Sequence, residues 1–327
     1  MVYRRNSTSP LRTHMLKLPL LFTLVGTALF TSAQPSQFLV YGDMPYSDVD
    51  AKMLSKPTGI LYKAAQSTPH DFVVHVGDIK SGAVPCTNTI LKENYTLISQ
   101  ISTQPFIYTP GDNDWTDCDR KSLKPRYDEL ERLDFIRTEF THTSAKLNKY
   151  TRQTAQPENQ AWLHNNVRFM TLHVVGTNNG RKQILKSDKK IARAQVQARD
   201  SHNLNWLTSH LNENLTAAVI FMQADIFAPP KHDKACTDTR QKKCDGFKVY
   251  KEALNKLANT YDFPILVSHG DTKAFCLSKI AAGLWQLNGP GDFQYLDIAK
   301  VTVDVKNKVT PFSVRSLLTN KTIHDCQ

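Results

Sequence analysis

The sequence predicts an α/β fold in which two β-sheets pack face to face between outer layers of helix, an αββα sandwich. Short continuous apolar runs recur, and four of them lead into Gly-Asp. Segments with an apolar period near 3.6 residues lie between these runs, and two further strand-like runs follow one another late in the chain. A run that is apolar at every position suits a strand buried on both faces, which requires helices or a second sheet to cover it.

In chain order, the first segment stands apart. Arg4, Arg5, Arg12 and Lys17 precede an apolar run over residues 18–30, and Thr31-Ser32-Ala33 supplies small residues after it. A basic start, a short apolar middle and a small-residue end describe a secretory leader, so residues 1–33 read as a signal peptide and 34–327 as one domain. The run carries Pro19 and Gly26 and falls short of the roughly 20 residues of a membrane span, with a signal anchor as the alternative. No other stretch is comparably apolar, so the mature chain is expected to have no membrane span.

Strands are expected at 38–41 before Gly42-Asp43, at 72–76 before Gly77-Asp78, and at 106–110 before Gly111-Asp112-Asn113-Asp114. Another, 263–269, precedes Gly270-Asp271, and residues 173–175 read as a strand entering the polar turn Gly176-Thr177-Asn178-Asn179-Gly180. Helical periodicity covers 127–140, 204–211 and 247–261. Residues 293–305 and 311–317, joined by Lys306-Asn307-Lys308, read as a hairpin of the second sheet.

The composition, 40% hydrophobic and 22% charged over 327 residues without a low-complexity tract, is that of a globular chain and excludes a disordered one. Of the formal +11, four charges fall in the leader, leaving +7 on the rest. Seven basic residues between 181 and 199 face one acid, Asp188. Such a segment either attracts an anionic partner or is a solvated face. Aromatic residues do not interleave with it, so no nucleic-acid partner is expected. No feature points to a particular oligomeric state.

The six cysteines, Cys86, Cys118, Cys236, Cys244, Cys276 and Cys326, fit an oxidising compartment and up to three disulfides. Cys236 and Cys244 lie eight apart in a polar loop and are expected to pair; no CxxC suggests a zinc ribbon. Sequons at Asn94, Asn214 and Asn320 would carry glycan in a eukaryote. These features agree with a secreted or periplasmic protein.

The repeated Gly-Asp carries the chemistry. Loops leaving the carboxyl ends of strands converge on one crevice in open α/β folds. Glycine permits the sharp turn, and the aspartate after it is thrust into the crevice, where several acids repel one another unless a cation neutralises them. Asp43, Asp78 and Asn113 are evenly spaced, each 35 residues from the next, which suits one strand–helix unit apiece.

These motifs resemble the calcineurin-like metallophosphoesterase superfamily, which includes the purple acid phosphatases. That family carries, in order, Asp-x-His, Gly-Asp, Gly-Asn-His-Asp/Glu, a lone His and Gly-His-x-His. Gly42-Asp43, Gly77-Asp78 and Gly111-Asp112-Asn113-Asp114-Trp115 resemble the first three, Phe221-Met222-Gln223-Ala224-Asp225 falls at the fourth, and His269-Gly270-Asp271-Thr272-Lys273 at the fifth. The wording resembles a divergent secreted subgroup. The resemblance spans about residues 37–317 and implies a two-sheet sandwich in which Asp43 binds one metal, Asp78 bridges two and Asn113 binds the second. Paired metals clamp a phosphate and activate a water for in-line attack.

The departures are systematic. Pro45, followed by Tyr46, stands at the first block's histidine and Asp114 at the third's. Gln223 replaces the lone histidine, while Asp271 and Lys273 replace the last pair. The implied metal set is then Asp43, Asp78, Asn113, Gln223 and Asp271, all oxygen donors, which favour one or two ions of Mg²⁺, Mn²⁺ or Ca²⁺ over Zn²⁺. Asp114 and His269 are the candidate acid–base groups, and Tyr46, Asn178 and Lys273 the candidate contacts to substrate. Lys273 would either replace a second metal or hold a phosphate oxygen. His75, inside a strand, reads as a core residue. The block order makes the loops of Cys86 and Cys118 neighbours, which leaves Cys276 to pair with Cys326.

Two readings of function follow. One is a secreted metal-dependent phosphoesterase acting on a phosphomonoester or phosphodiester at a histidine-poor site. The other is a catalytically inactive binding or interaction protein on the same scaffold.

Overall fold

The structure, a computed structural model, describes residues 35–141, 147–271 and 274–326. The leader read at residues 1–33 and the position of Lys273 lie outside the described residues.

Five strands form one sheet: β1 (Ser36–Tyr41), β2 (Phe72–His75), β3 (Phe106–Tyr108), β11 (Ala299–Val303) and β12 (Phe312–Ser316), in the order β12-β11-β1-β2-β3. The second comprises β4 (Thr151–Arg152), β5 (Gln160–His164), β6 (Val167–Thr171), β7 (Ala217–Phe221), β8 (Ile265–His269), β9 (Cys276–Ala281) and β10 (Leu284–Asn288), in the order β4-β5-β6-β7-β8-β10-β9. Helices α1 (Asp48–Leu54), α2 (Ile60–Ser67), α3 (Asn88–Ser99) and α4 (Glu129–Phe140) contribute to the apolar cluster on the outer face of the first sheet. A single turn, α5 (Gly176–Gly180), precedes α6 (Lys189–Ser209) and α7 (Lys248–Thr260), which pack on the outer face of the second. The layers are therefore α, β, β, α, the sandwich that the resemblance implies.

The space between the sheets is filled by large side chains from both. Phe38 and Phe72 of the first sheet meet Trp162, Phe169 and Phe221 of the second, with Phe38 edge-on to Phe169 at 5.6 Å and to Phe221 at 5.4 Å. Burying each such ring contributes about 1.5–3 kcal/mol. The ladder aligns Tyr41 with His75, and His75 with Tyr108, along parallel strands. That register brings the three turns that follow β1, β2 and β3 level at one edge of the sandwich.

Sequence and structure differ at several places. The helix read at 204–211 is the end of α6, which begins at Lys189 because the Asp188 side chain accepts from the backbone N–H of Lys190 and Ile191. The strand read at 293–305 is confined to β11; Asp292 and Phe293 both take positive φ, which breaks an extended run. Residues 173–175 lie past the end of β6 rather than in a ladder.

All three expected cysteine pairs form: Cys86–Cys118, Cys236–Cys244 and Cys276–Cys326. Among the described residues no helix is long and apolar enough to cross a membrane. The basic segment at 181–199 divides. Arg181 is buried against Asp200, and Arg199 is buried over the Trp115 ring, whereas Lys182, Lys186, Lys189 and Lys190 are exposed. Of the sequon asparagines, Asn94 is occupied in a hydrogen bond to the Ile79 carbonyl, while Asn214 and Asn320 are exposed.

Candidate functional site

At the edge where the turns gather, Asp43, Asp78 and Asp271 each follow a glycine and each take a left-handed backbone, with φ of 51°, 60° and 56°. Aspartate tolerates this conformation better than most residues, which explains the recurrence of Gly-Asp after β1, β2 and β8. Gly77, at φ 99°, lies in a region closed to other side chains. The turns bring Asp43, Asp78, Asp112, Asp225, Asp271 and Asp292 to the wall of one cavity of about 610 Å³. Arg120, Asn113 and Tyr46 share that wall.

Asp78 is the most heavily engaged acid. Its Oδ1 accepts from the Asn113 backbone N–H at 3.0 Å. Its Oδ2 has the Asn113 Nδ2 at 2.8 Å, the Tyr46 hydroxyl at 3.0 Å and the Gln223 Nε2 at 3.3 Å. Asp43 Oδ2 accepts from the Asp271 N–H at 3.1 Å, and its Oδ1 lies 3.1 Å from the Tyr46 hydroxyl. Asp112 Oδ2 accepts from the Thr177 hydroxyl at 2.5 Å.

Burial dominates the electrostatics of these acids, and their mutual repulsion adds to it. Burial pushes Asp43 up to about 7, with Asp292 and Asp112 contributing. Burial, then the charges of Asp112 and Asp43, hold both Asp78 and Asp271 well above the usual carboxylate range. Two cations oppose this. Arg120 is paired with Asp117 at the cavity wall, and Lys80 is buried close by, drawn toward Asp114, Asp78 and Asp117 while burial lowers its own pKa.

The donor set is hard and oxygen-rich, which suits a divalent cation of the Mg²⁺, Mn²⁺ or Ca²⁺ class. Gly176 adds a steric argument: a Cβ there would come within 2.5 Å of Asp112 Oδ2 and 2.7 Å of Asp271 Oδ2. Its absence leaves room for both carboxylates at the cavity. Among the described residues, however, no three His, Cys, Asp or Glu side chains form a ready-made metal cage. Amide and phenol groups stand between the acids instead.

The candidate residues are therefore sorted by geometry. Asp43, Asp78, Asn113, Asp271 and Tyr46 come together as expected, and Gln223 reaches the acids from behind. The Gln223 Oε1 accepts from the Gly176 N–H at 2.6 Å, which fixes the amide so that its NH₂ faces Asp78 and Asp112. It braces carboxylates in this arrangement and does not present an oxygen to a cation. Asn113 likewise presents Nδ2 to Asp78 and Tyr46.

Three other candidates are engaged elsewhere. The buried Asp114 carboxylate accepts from the backbone N–H of Asp78, Ile79 and Gly111 and from the Tyr108 hydroxyl, tying the second and third turns together. His269 is buried, with Nδ1 on the Gly270 carbonyl at 2.7 Å and Nε2 2.8 Å from Gln286 Nε2, and burial lowers its pKa. It lies behind Asp225, 3.6 Å from that carboxylate. Asn178 holds the Cys236–Cys244 loop, donating to the Cys244 carbonyl and accepting from the Gly246 N–H. His75 is a core residue, bonded to the Met44 carbonyl and lowered to about 3 by burial.

Sequence reasoning missed Asp112, Asp225, Asp292, Arg120 and Lys80. Two carried a readable sign: Gly291-Asp292 is a fifth Gly-Asp after an apolar run, and Asp225 follows β7 by four residues.

No family model and no curated protein matches the sequence. Among solved structures, a dimetal phosphatase from Danio rerio superposes with a TM-score of 0.50 at 12% identity, over 89% of this chain and 99% of that one. The fold is that of the calcineurin-like metallophosphoesterases. Two further matches are GAP50, described as the anchor in the inner membrane complex of Plasmodium, and a 5'-nucleotidase from Candida albicans. The first has a TM-score of 0.46 at 10% identity over 90% of both chains. The second has 0.45 at 11% identity over 86% of this chain and 51% of that one.

Proposed function

We propose that this chain is a divalent-cation-dependent phosphoesterase acting outside the cytoplasm on a phosphomonoester or phosphodiester. The observation that carries the reading is the cavity wall, where six aspartates face one guanidinium. An anionic ester is repelled from such a wall until cations offset the acids. Three disulfides support an oxidising location, in keeping with the leader read at residues 1–33.

Asp43, Asp78, Asp112 and Asp271 are the residues that would hold the cation. A bound divalent cation supplies charge neutralisation of the phosphoryl oxygens and a water acidic enough to attack at neutral pH. Gln223 and Asn113 keep Asp78 in place through their N–H groups. Arg120, partly exposed at the wall, orients a phosphate oxygen by its fork of donors. Asp114 acts at one remove, holding the Asp78 and Gly111 turns together.

The test is hydrolysis of an aryl phosphate and of a bis-aryl diester with Mg²⁺ or Mn²⁺, comparing wild type with Asp78→Asn. Wild-type turnover that chelator abolishes and Asp78→Asn removes is the expected result. Turnover that survives the substitution refutes this site, and inactivity with every cation refutes the phosphoesterase reading.

A further inference from the structure

One phenol at the cavity wall touches two of the acids at once. The Tyr46 hydroxyl lies 3.1 Å from Asp43 Oδ1, 3.0 Å from Asp78 Oδ2 and 3.1 Å from Asn113 Nδ2. A phenol has one proton to donate. It accepts from Asn113 and can donate to only one of the two carboxylates at a time. A cation taking these same two carboxylate oxygens would compete with the hydroxyl for them.

The ring has somewhere to go. Its backbone N–H is fixed by Asp50 Oδ2 at 2.7 Å, so movement is confined to the side chain. Tyr46 is only partly buried and packs against Phe293, centroid to centroid 5.0 Å, and Phe293 is itself 61% exposed at the cavity mouth. Rotation toward solvent therefore displaces one exposed ring and opens no core.

We infer that Tyr46 is a built-in competitor for the cation, its hydroxyl closing the space between Asp43 and Asp78 until a divalent ion displaces it. This rests on the cation-dependent reading of the site and adds what sets the affinity. Tyr46→Phe keeps the ring and its contact with Phe293 while removing the competing oxygen. Tyr46→Ala removes both and guards against an effect of ring packing alone.

The experiment is calorimetric titration of the purified protein with Mn²⁺, with free Mn²⁺ counted by electron paramagnetic resonance, in wild type, both Tyr46 variants and Asp78→Asn. Both Tyr46 variants are expected to bind at least about tenfold tighter than wild type, equivalent to about 1.4 kcal/mol. In wild type, Tyr46 is expected to become accessible to nitration by tetranitromethane only when Mn²⁺ is present. Equal Mn²⁺ affinity in wild type and Tyr46→Phe overturns the competitor and leaves the cation site standing. Weaker binding by Tyr46→Phe, with a visible charge-transfer band in the Fe³⁺-loaded wild type, makes Tyr46 a ligand and overturns it too. Failure of all proteins to bind Mn²⁺ overturns both readings.

Discussion

Asp114→Asn separates a bracing role from a chemical one, because the two demand opposite results. Asp114 Oδ2 takes three donors, the backbone N–H of Asp78 at 2.9 Å and of Gly111 at 2.8 Å and the Tyr108 hydroxyl at 2.8 Å, while Oδ1 takes the Ile79 N–H at 2.8 Å. An asparagine oxygen can replace Oδ2, but its NH₂ then faces the Ile79 N–H and leaves that buried donor unpaired, at about 1–3 kcal/mol. The three remaining bonds lose their charge assistance, although burial already raises the pKa of Asp114 and offsets part of that loss. A net cost of about 2–3 kcal/mol lowers the unfolding midpoint by roughly 4–12 °C for a domain of this size. Thermal melts followed by circular dichroism measure it. Turnover of an aryl phosphate with Mn²⁺, assayed well below the midpoint, should fall less than about tenfold, whereas loss of a general acid or base removes about 10²–10⁴. An unchanged midpoint with hundredfold lower turnover would refute the bracing role.

Two further perturbations test the surroundings of the site. Gly176→Ala puts a methyl group against Asp112 and Asp271, so cation affinity should fall and overpacking should cost about 1–3 kcal/mol of stability, read as a lower midpoint; an unaltered midpoint and affinity would show that the glycine is not needed there. The buried Glu158 accepts from His173 and forks with Arg137, and although burial alone would raise its pKa, these partners lower it from 4.5 to about 2. Because the folded value is the lower one, this stabilisation is present above pH 4.5 and is lost as pH falls toward 2, amounting to about 3 kcal/mol. His173, held neutral by burial at about 4, adds a loss between its ordinary 6.5 and that value. Denaturant melts across pH 2–7 should therefore show Glu158→Gln less stable at pH 7 and flatter below 4.5, and parallel curves would count against the assignment.

The layers and the acid turns were legible because they are local and repeated. The Gly-Asp turns after β1, β2 and β8 put the aspartate in a left-handed backbone that few residue types accept, so Asp43, Asp78 and Asp271 could be placed before any contact was known. The hairpins β5–β6 and β9–β10 escaped notice because their strands mix polar and apolar residues: Gln160 and His164 in β5, Arg168 in β6, and Ser278 and Lys279 in β9. Orientation was also hidden. No spacing argument says that the Gly176 N–H will turn the Gln223 amide, or that Asp114 will point back into the protein while its neighbours line the cavity. These outcomes depend on contacts between turns far apart in the chain.

The missing histidines acquire a meaning from the same contacts. An imidazole ligand is neutral, so a site that keeps histidines carries less negative charge when empty. Here the histidine positions hold Pro45, Asp114, Gln223, Asp271 and Lys273, and further acids enter from Asp112, Asp225 and Asp292. Lys80 and Arg120 offset only part of that charge. Among the described residues, N–H and O–H groups of Asn113, Gln223 and Tyr46 are also aimed at Asp78 and Asp43. The Gln223 amide is fixed by the Gly176 N–H, the Asn113 amide bonds only to Asp78 and Tyr46 within the site, and the third donor is a partly exposed phenol. These groups are thus the ones a cation must contend with, and Tyr46, partly exposed beside Phe293, is the one we infer to yield.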